Sequence, residues 1–324
     1  MAESLNKNFN HLKIHSQYSI CEGAIKIDDL KDFSKENKIK SLGLCDTSNL
    51  CGALEFAEKI SKIGTQPIIG TQINFKYADT VGLLPLYALN EEGYKRIIEL
   101  SSLSYLKNDQ LSDPHLEFNE LLNKNEGVSL FSGTINGLFG QLFDKGKIVE
   151  ITELYSKLKN KFNNNFYIEI QRHGDQNENT FENFNLSKSL ELKIPLIATN
   201  EVFYINKTMH EAHDALICIK NKTYVNEKNR FRYNDQHYFK NNTEMSELFA
   251  DLPEALENNY NFPFRCSFRP LFSKPVLPNI SSEKGGNADE ILKKDSLDGL
   301  KDKFEKFFKL ENNNLYTDKN YLRY

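Results

Sequence analysis

The chain has 324 residues, of which 39 % are hydrophobic and 27 % charged, and its formal net charge is −4. This composition is typical of a soluble globular protein with one large domain and an appendage. It excludes a dedicated nucleic-acid binder with a strong overall positive field, although it still allows a local basic patch. No apolar run is long enough to span a bilayer, and the N-terminus lacks the features of a signal peptide, so we expect a cytoplasmic protein with no membrane partner.

Short apolar runs alternate with segments of helical periodicity along the first 220 residues. The predicted strands cover 11–15, 41–46, 67–75, 84–90, 127–133, 165–174 and 194–204. The predicted helices cover 27–37, 52–64, 91–103, about 147–162, about 179–191 and 209–220. Repeated strand–helix units of this kind predict an α/β fold built on a parallel sheet or barrel.

The pattern loosens after about residue 221. The stretch "FPFRCSFRPLFSKPVLPNISS" carries several prolines and is typical of a linker, and a charged amphipathic helix is predicted over roughly 287–308. We therefore expect a boundary near residue 280. Of the five cysteines, Cys45 and Cys218 lie in apolar runs and no two form a CxxC pair, so we expect reduced core residues rather than disulfides or a zinc site.

Several residues fall at or just after the ends of predicted strands, where function gathers in parallel α/β folds. They are His15, Asp46, Gln72, Gly133, His173 and Glu201. His15 could be a metal ligand or an acid–base group, or only a strand-end residue bonded to backbone. His173 could bind metal or phosphate, or simply order the loop at Gly174.

For Asp46 the choice is again between a metal-binding role and a structural role. A carboxylate there could bind a divalent metal, or it could accept N–H bonds at the start of the next helix, which stabilises a helix by about 0.5–2 kcal/mol. The next residue, Thr47, offers neither an imidazole nor a charge, so the residues alone favour capping and loop ordering. His210 and His213 are three apart, whereas the HExxH zinc signature needs a spacing of four, so a zinc site is not favoured there.

No P-loop, GxGxxG or GxSxG motif is present. A catalytic metal cluster needs several convergent ligands, and the candidates His15, Asp46, His173 and Glu201 are few. The positions between them are poor or impossible ligands, namely Lys13, Thr47, Gln72, Thr134 and Phe203. A lysine in such a site would place a positive charge where the cations should sit.

Six segments of the chain resemble one family closely. They are "FNHLKIHSQYSICEGAIKIDDL", "LGLCDTSNLCGALEFAEKISKIGTQPIIG", "YALNEEGYKRIIELSS", "YIEIQRHG", "PLIATNEVFYI" and "EAHDALICIKNKTYVNEKNRFRY". In this order they resemble the N-terminal PHP (polymerase and histidinol phosphatase) region of the bacterial replicative DNA polymerase III alpha subunit. The resemblance implies a distorted (β/α)7 PHP barrel over 1–280, followed by the incomplete beginning of a palm region over 281–324.

The resemblance also implies where a metal site would lie. Metal-binding members carry HxH at the first strand, Asp-His after the second, Glu after the third, and later a Cys or His, a His, and Asp-x-His. Carried onto this chain, these positions hold Lys13-Ile14-His15, Asp46-Thr47, Gln72, Thr134, His173 and Glu201-Val202-Phe203. Most ligands are absent, so the resemblance implies no catalytic residue, no bound Mn or Zn, and Asp46 as a remnant that orders the loop and helix start.

In this branch the PHP region is expected to scaffold the polymerase and dock the separate proofreading exonuclease subunit, with the rest of the holoenzyme as a further partner. The Mg²⁺-binding catalytic aspartates of the polymerase family lie beyond the matched part, so we expect no nucleotidyl transfer from this chain alone, which would be a fragment of a replicative polymerase.

Two alternatives remain open. Glu201 can replace Asp as a ligand, and with His15, Asp46 and His173 it could hold one ion of a residual phosphoesterase or exonuclease. A second alternative is DNA contact by segment 228–240, which has Lys228, Arg230, Arg232 and Lys240 among aromatic residues. Internal bonding of these basic residues is favoured, so DNA contact is expected to be indirect or weak.

Overall fold

The computed structural model describes residues 8–108, 112–123, 125–275 and 287–308. The chain divides into two compact units, Met1–Phe272 and Ser273–Tyr324. The predicted boundary near residue 280 and the end of the predicted palm segment, 309–324, lie outside the described residues. Within the described part, no helix is both long enough and apolar enough to cross a membrane.

The elements follow the predicted alternation closely. The strands are β1 (Lys13–Ile14), β2 (Ser41–Thr47), β3 (Gln66–Tyr77), β4 (Thr80–Ala88), β5 (Leu116–Glu117), β6 (Val128–Phe131), β7 (Phe166–Ile170), β8 (Leu196–Ala198) and β9 (Glu201–Val202). The helices are α1 (Ile27–Glu36), α2 (Ala53–Lys62), α3 (Glu91–Leu106), α4 (Phe118–Asn123), α5 (Leu138–Asp144), α6 (Ile148–Phe162), α7 (Glu178–Leu192), α8 (His210–Asn221), α9 (Asn242–Leu248), α10 (Pro253–Asn261) and, in the second unit, α11 (Ala288–Phe308). Short 3₁₀ turns cover Asn163–Asn165, Lys207–Met209 and Phe262–Arg265.

The sheet curls until its two ends meet. Its strand order is β8-β7-β6-β4-β3-β2-β1-β9, and β5 pairs with β3 off this path. The end strands β8 and β9 are separated in the chain by only Thr199 and Asn200. Because consecutive residues occupy both ends of the order, the sheet must close on itself at this point. The expected distorted α/β barrel is therefore confirmed.

The main distortion is an antiparallel strand. The structure pairs β4 antiparallel with both β3 and β6, whereas the repeated strand–helix units predicted parallel pairing. Only Ala78 and Asp79 lie between β3 and β4, which is too short for a crossover helix, so the two strands form a hairpin. Ala78 has a φ of +53°, as a tight hairpin turn requires.

Apolar side chains fill both faces of the curled sheet. On the outer face, Leu30 of α1 and Phe56 of α2 are buried with Leu44 of β2. A larger outer cluster joins α3, α5, α6, α7, α9 and α10 to the remaining strands. Helix α3 begins at a side-chain cap, because Asn90 accepts a bond from the Gly93 N–H.

The amino-terminal end of the barrel interior is closed by an aromatic cluster, here called the aromatic plug. It consists of Tyr87, Phe131, Tyr167 and Phe262, with the Phe131 and Phe262 rings 5.1 Å apart. Phe262 is fully buried, so the linker prediction was wrong for the start of the proline-rich stretch. The reason is that Pro263 lies in the first turn of a 3₁₀ helix, where proline is tolerated, instead of breaking structure.

Candidate functional site: the barrel mouth

The mouth of the barrel, at the carboxyl ends of the parallel strands, holds a buried ion pair. Lys13 of β1 lies directly opposite Glu201 of β9 in the parallel pairing. The Lys13 Nζ is 3.2 Å from Glu201 Oε1, and only 2 % of the lysine side chain is exposed. Lys13 occupies the first position of the expected metal-binding HxH, so an ammonium stands where a ligand was expected.

A second carboxylate, Glu169 of β7, acts on the same lysine. Its Oε1 accepts hydrogen bonds from Gln171 and Thr199, while Oε2 has no hydrogen-bond partner among the described residues. Burial alone would lower the pKa of Lys13, but the charges of Glu169 and Glu201 outweigh it and raise that pKa. Lys13 is therefore a permanent cation inside the barrel.

Lys13 and His15 keep the Glu201 carboxylate in its charged form. Burial alone would raise its pKa, but the Lys13 ammonium and the hydrogen bond from His15 bring that pKa well below its usual range. His15 Nε2 lies 3.0 Å from Glu201 Oε1, and its Nδ1 lies 3.3 Å from Ser19 Oγ. The ring of His15 also stacks on Phe203 at 4.7 Å, so both of its nitrogens and one face are occupied.

Asp46 orders the loop after β1. It accepts hydrogen bonds from the Ser16 N–H at 2.7 Å, the Ser16 hydroxyl at 2.8 Å and the Ser19 hydroxyl at 2.7 Å. Burial raises its pKa in spite of these donors. Helix α2 has Gly52 at its N-cap with no side-chain cap, so Asp46 does not start that helix. The expected role is thus corrected: the loop contacts are present, and the helix-capping contact is not.

The other positions of the expected site carry no charge. Two of them are bonded to each other, and another is apolar. Gln72 donates from Nε2 to Thr47 Oγ1 at 3.0 Å. Phe203 is buried among aromatic and histidine rings. Lys13, Gln72, Thr134 and Glu201 line one cavity of about 40 Å³, so the structure brings these sequence positions together.

His173 lies in a separate buried group. Its ring stacks on His237 at 4.1 Å, and its Nε2 lies 3.1 Å from Asn200 Oδ1. Burial, together with the charge of Lys240, lowers the pKa of His173 to about 3, so the ring is neutral at pH 7. Lys240 Nζ also reaches Asn200 Oδ1, at 3.0 Å, and its own pKa is lowered by burial to about 8.

The two candidate DNA-contacting arginines are bonded within the protein. Arg230 makes a bidentate pair with Asp214, at 2.6 and 2.5 Å, and its side chain is 6 % exposed. Arg232 lies 2.6 Å from Glu211 and is 43 % exposed. Of the lysines in this segment, Lys240 is buried. Lys228 therefore differs from the other three, because it is exposed and has no bonded partner among the described residues.

These donors do not fit a metal cluster. Within the described parts of the chain, no three His, Cys, Asp or Glu side chains are grouped so that they could hold a metal ion. A cation bound by Glu201 would also lie against the Lys13 ammonium, and like charges this close in a buried site repel strongly. The site supplies an internal cation of its own.

Sequence reasoning missed Glu169, which pairs electrostatically with Lys13 from across the barrel. The signal was present in "YIEI", where a lone acidic residue alternates with buried apolar ones in a strand. The sequence reasoning also gave no role to His237, whose Nε2 is buried without a hydrogen-bond partner among the described residues.

The PHP domain family matches residues 11–173. The chain belongs to this family. It is 35 % identical over 316 residues to a DNA polymerase III subunit alpha from Caulobacter vibrioides, covering 94 % of this chain and 27 % of that protein. It is 36 % identical over 312 residues to the subunit alpha of Rickettsia conorii, covering 95 % and 26 %. The PHP chain thus spans about a quarter of the length of these relatives.

A solved structure from Bifidobacterium adolescentis, described as a metal-dependent phosphoesterase, is also similar. It shares 12 % identity and a TM-score of 0.31 over 59 % of this chain and 86 % of that one. A likeness this low bears on neither the fold nor the activity of the PHP chain.

Proposed function

We propose that this chain is the PHP region of a DNA polymerase III alpha subunit and that it acts as a non-catalytic scaffold. In this role it docks the proofreading exonuclease subunit and contacts the remainder of the holoenzyme in the cytoplasm. The Mg²⁺-dependent nucleotidyl transfer belongs to the part of the relatives that this chain does not span. The similarity to DNA polymerase III alpha subunits over 94–95 % of the chain supports the assignment.

One observation carries the non-catalytic part of the proposal, namely the Lys13–Glu201 pair. Activation of water by a bound metal needs a cation with an open coordination position. Here the Lys13 ammonium neutralises Glu201, and Phe203 stands where a second histidine would be needed. The resulting arrangement has a fixed charge with no exchangeable ligand, which suits a structural element better than a phosphoesterase.

The absence of phosphoesterase activity can be tested with p-nitrophenyl phosphate and added Mn²⁺. We expect the wild-type protein and Asp46→Ala to show the same background rate. Because Asp46 also orders a loop, circular dichroism must first show that the variant is folded. A wild-type rate that rises with Mn²⁺ and disappears in the folded variant would show a residual metal phosphoesterase instead.

The docking role can be tested with the proofreading exonuclease subunit of the same organism. We expect the two purified proteins to elute together on gel filtration and to give a saturable calorimetric titration. An unrelated nuclease of similar size and charge is the control. Separate elution and no heat of binding at high protein concentration would refute the docking role.

A further inference from the structure

The loop that follows α8, residues 222–232, is held in place by one arginine. Arg230 makes its bidentate pair with Asp214 of α8, and Asp214 is 1 % exposed. The same guanidinium lies 3.2 Å from the Val225 carbonyl and 3.4 Å from the Phe231 carbonyl. One side chain therefore ties both arms of the loop to the helix, and the loop has a defined conformation.

This ordered loop presents large apolar side chains to solvent. Ile219 at the end of α8 is 70 % exposed, and Tyr224, Val225 and Phe231 are 74 %, 53 % and 52 % exposed. Single exposed apolar residues are common on protein surfaces, whereas four of them on one short ordered segment favour an interaction site. We call these four residues the 219–231 patch.

The segment that carries the patch is basic in composition, although part of this charge is paired with carboxylates of neighbouring elements. Segment 219–232 contains five basic residues and one acidic residue, whereas the chain carries a net charge of −4. Asp214 and Glu211 already neutralise the two arginines. Lys222 and Lys228 have no carboxylate within 4 Å among the residues that the structure describes, so they remain available to an acidic partner.

We propose that the 219–231 patch is a docking surface for an acidic protein segment that carries apolar anchor side chains. The inference rests on the proposed function, which supplies the partner subunit used in the test. Buried apolar anchors would provide most of the affinity, and the two free lysines would select acidic segments and speed association.

A protein segment fits the patch better than a nucleic acid does. Ile219 and Val225 have no ring on which a base could stack, and stacking on aromatic rings is what gives single strands their affinity. The arginines that would contact phosphates are already paired with carboxylates. Two free lysines make few phosphate contacts compared with the six to ten that dominate strong DNA binding.

The test measures the affinity of the exonuclease subunit for the wild-type PHP chain and for two double variants. We expect Tyr224→Ser with Phe231→Ser to weaken binding by at least about tenfold, because it removes two anchors. We expect Lys222→Glu with Lys228→Glu to weaken binding and to reduce its salt dependence. All four side chains are exposed, so unfolding midpoints should match the wild type.

Leu190→Ser is the matched control, because Leu190 is 82 % exposed on α7, outside the patch. It should bind as the wild type does. Equal binding by wild type and both double variants would overturn the patch while leaving the proposed function intact. No binding by the wild type would overturn both. Salt-sensitive binding of a single-stranded oligonucleotide that only the patch variants lose, with exonuclease binding unchanged, would assign the patch to nucleic acid instead.

Discussion

The two ends of the barrel interior are filled in different ways. At the amino-terminal end, the aromatic plug packs Phe262 against Tyr87, Phe131 and Tyr167. At the carboxyl end, the mouth pairs the Lys13 ammonium with Glu201 at 3.2 Å, and the charge of Glu169 also acts on this lysine. Apolar burial stabilises in proportion to the area removed from water and needs little direction, whereas each buried charge needs a positioned partner. The plug is therefore expected to tolerate volume-conserving changes, and the mouth is expected to tolerate only changes that keep its charges balanced.

The largest effect is expected at the plug. Phe262→Ala leaves a cavity among three aromatic rings and should lower the free energy of unfolding by about 3–5 kcal/mol. Phe264→Ala is a close control, because Phe264 lies two residues along the chain and is 86 % exposed. Urea unfolding followed by circular dichroism gives both values. Similar small losses for the two variants would show that Phe262 is not a core residue.

A comparable loss is expected at the mouth, for a different reason. Lys13→Met keeps most of the side-chain volume but leaves Glu201 without its ammonium, which should cost about 3–5 kcal/mol. Adding Glu201→Gln to Lys13→Met should recover part of the loss, because it removes the unpaired charge. Adding a substitution at the plug to Lys13→Met should not recover any of it. Lys62→Met, on an exposed i,i+4 pair with Glu58, should cost less than about 1 kcal/mol.

If Lys13→Met were as stable as the wild type, the mouth would not depend on charge balance. A thermal melt at two salt concentrations separates the cases, because a buried pair is screened much less than an exposed one.

A buried histidine should make stability depend on pH. Burial lowers the pKa of His11 to about 3 from an ordinary value of 6.5, and its Nε2 lies 2.7 Å from the Lys240 carbonyl. The unfolded chain binds the proton first as the pH falls, so the contribution is complete above pH 6.5 and is lost progressively toward the folded pKa. Between about pH 7 and pH 5 the wild type should lose about 2 kcal/mol more than His11→Gln.

The control for this prediction is His115→Gln, whose histidine is not buried. This variant should show the same pH dependence as the wild type. Parallel stability curves for the wild type and His11→Gln would contradict the account of His11.

A smaller effect is expected where a charge is held only by neutral donors. Asp46→Asn replaces one accepting oxygen by an NH₂ group facing the serine donors, which should cost about 1–2 kcal/mol. Asp32→Asn is the control, because Asp32 is 65 % exposed beside Lys31 and should change stability by less than about 0.5 kcal/mol. A loss near zero for Asp46→Asn in chemical denaturation would mean that the loop after β1 does not need this carboxylate.

Local periodicity predicted most of the fold, because the long amphipathic helices and apolar strands each satisfy their own pattern. It could not predict the antiparallel β4, because pairing direction depends on the hairpin at Ala78, which no apolar pattern marks. It also misread the segment around Phe262, because the proline in the helical turn there is equally typical of linkers.

The candidate site was less accessible to sequence reasoning. The strand-end rule and the family resemblance identified Lys13, His15, Asp46 and Glu201, and the structure brings Lys13, His15 and Glu201 into contact. Glu169 could not be found this way, because it lies inside a strand and not at a strand end, and its charge acts on Lys13 only through the fold. Whether Asp46 caps a helix or orders a loop also depends on the fold, because the fold decides which N–H groups lie near its carboxylate.

The central claim is that the Lys13 ammonium takes the place of a bound cation at the barrel mouth. The most direct test dialyses the purified wild-type protein against Mn²⁺ or Zn²⁺ and measures the metal content per chain together with the unfolding midpoint. The account predicts far less than one ion per chain and no change in midpoint. One or more tightly held ions per chain, lost in the folded Asp46→Ala variant and accompanied by a higher wild-type midpoint, would contradict it.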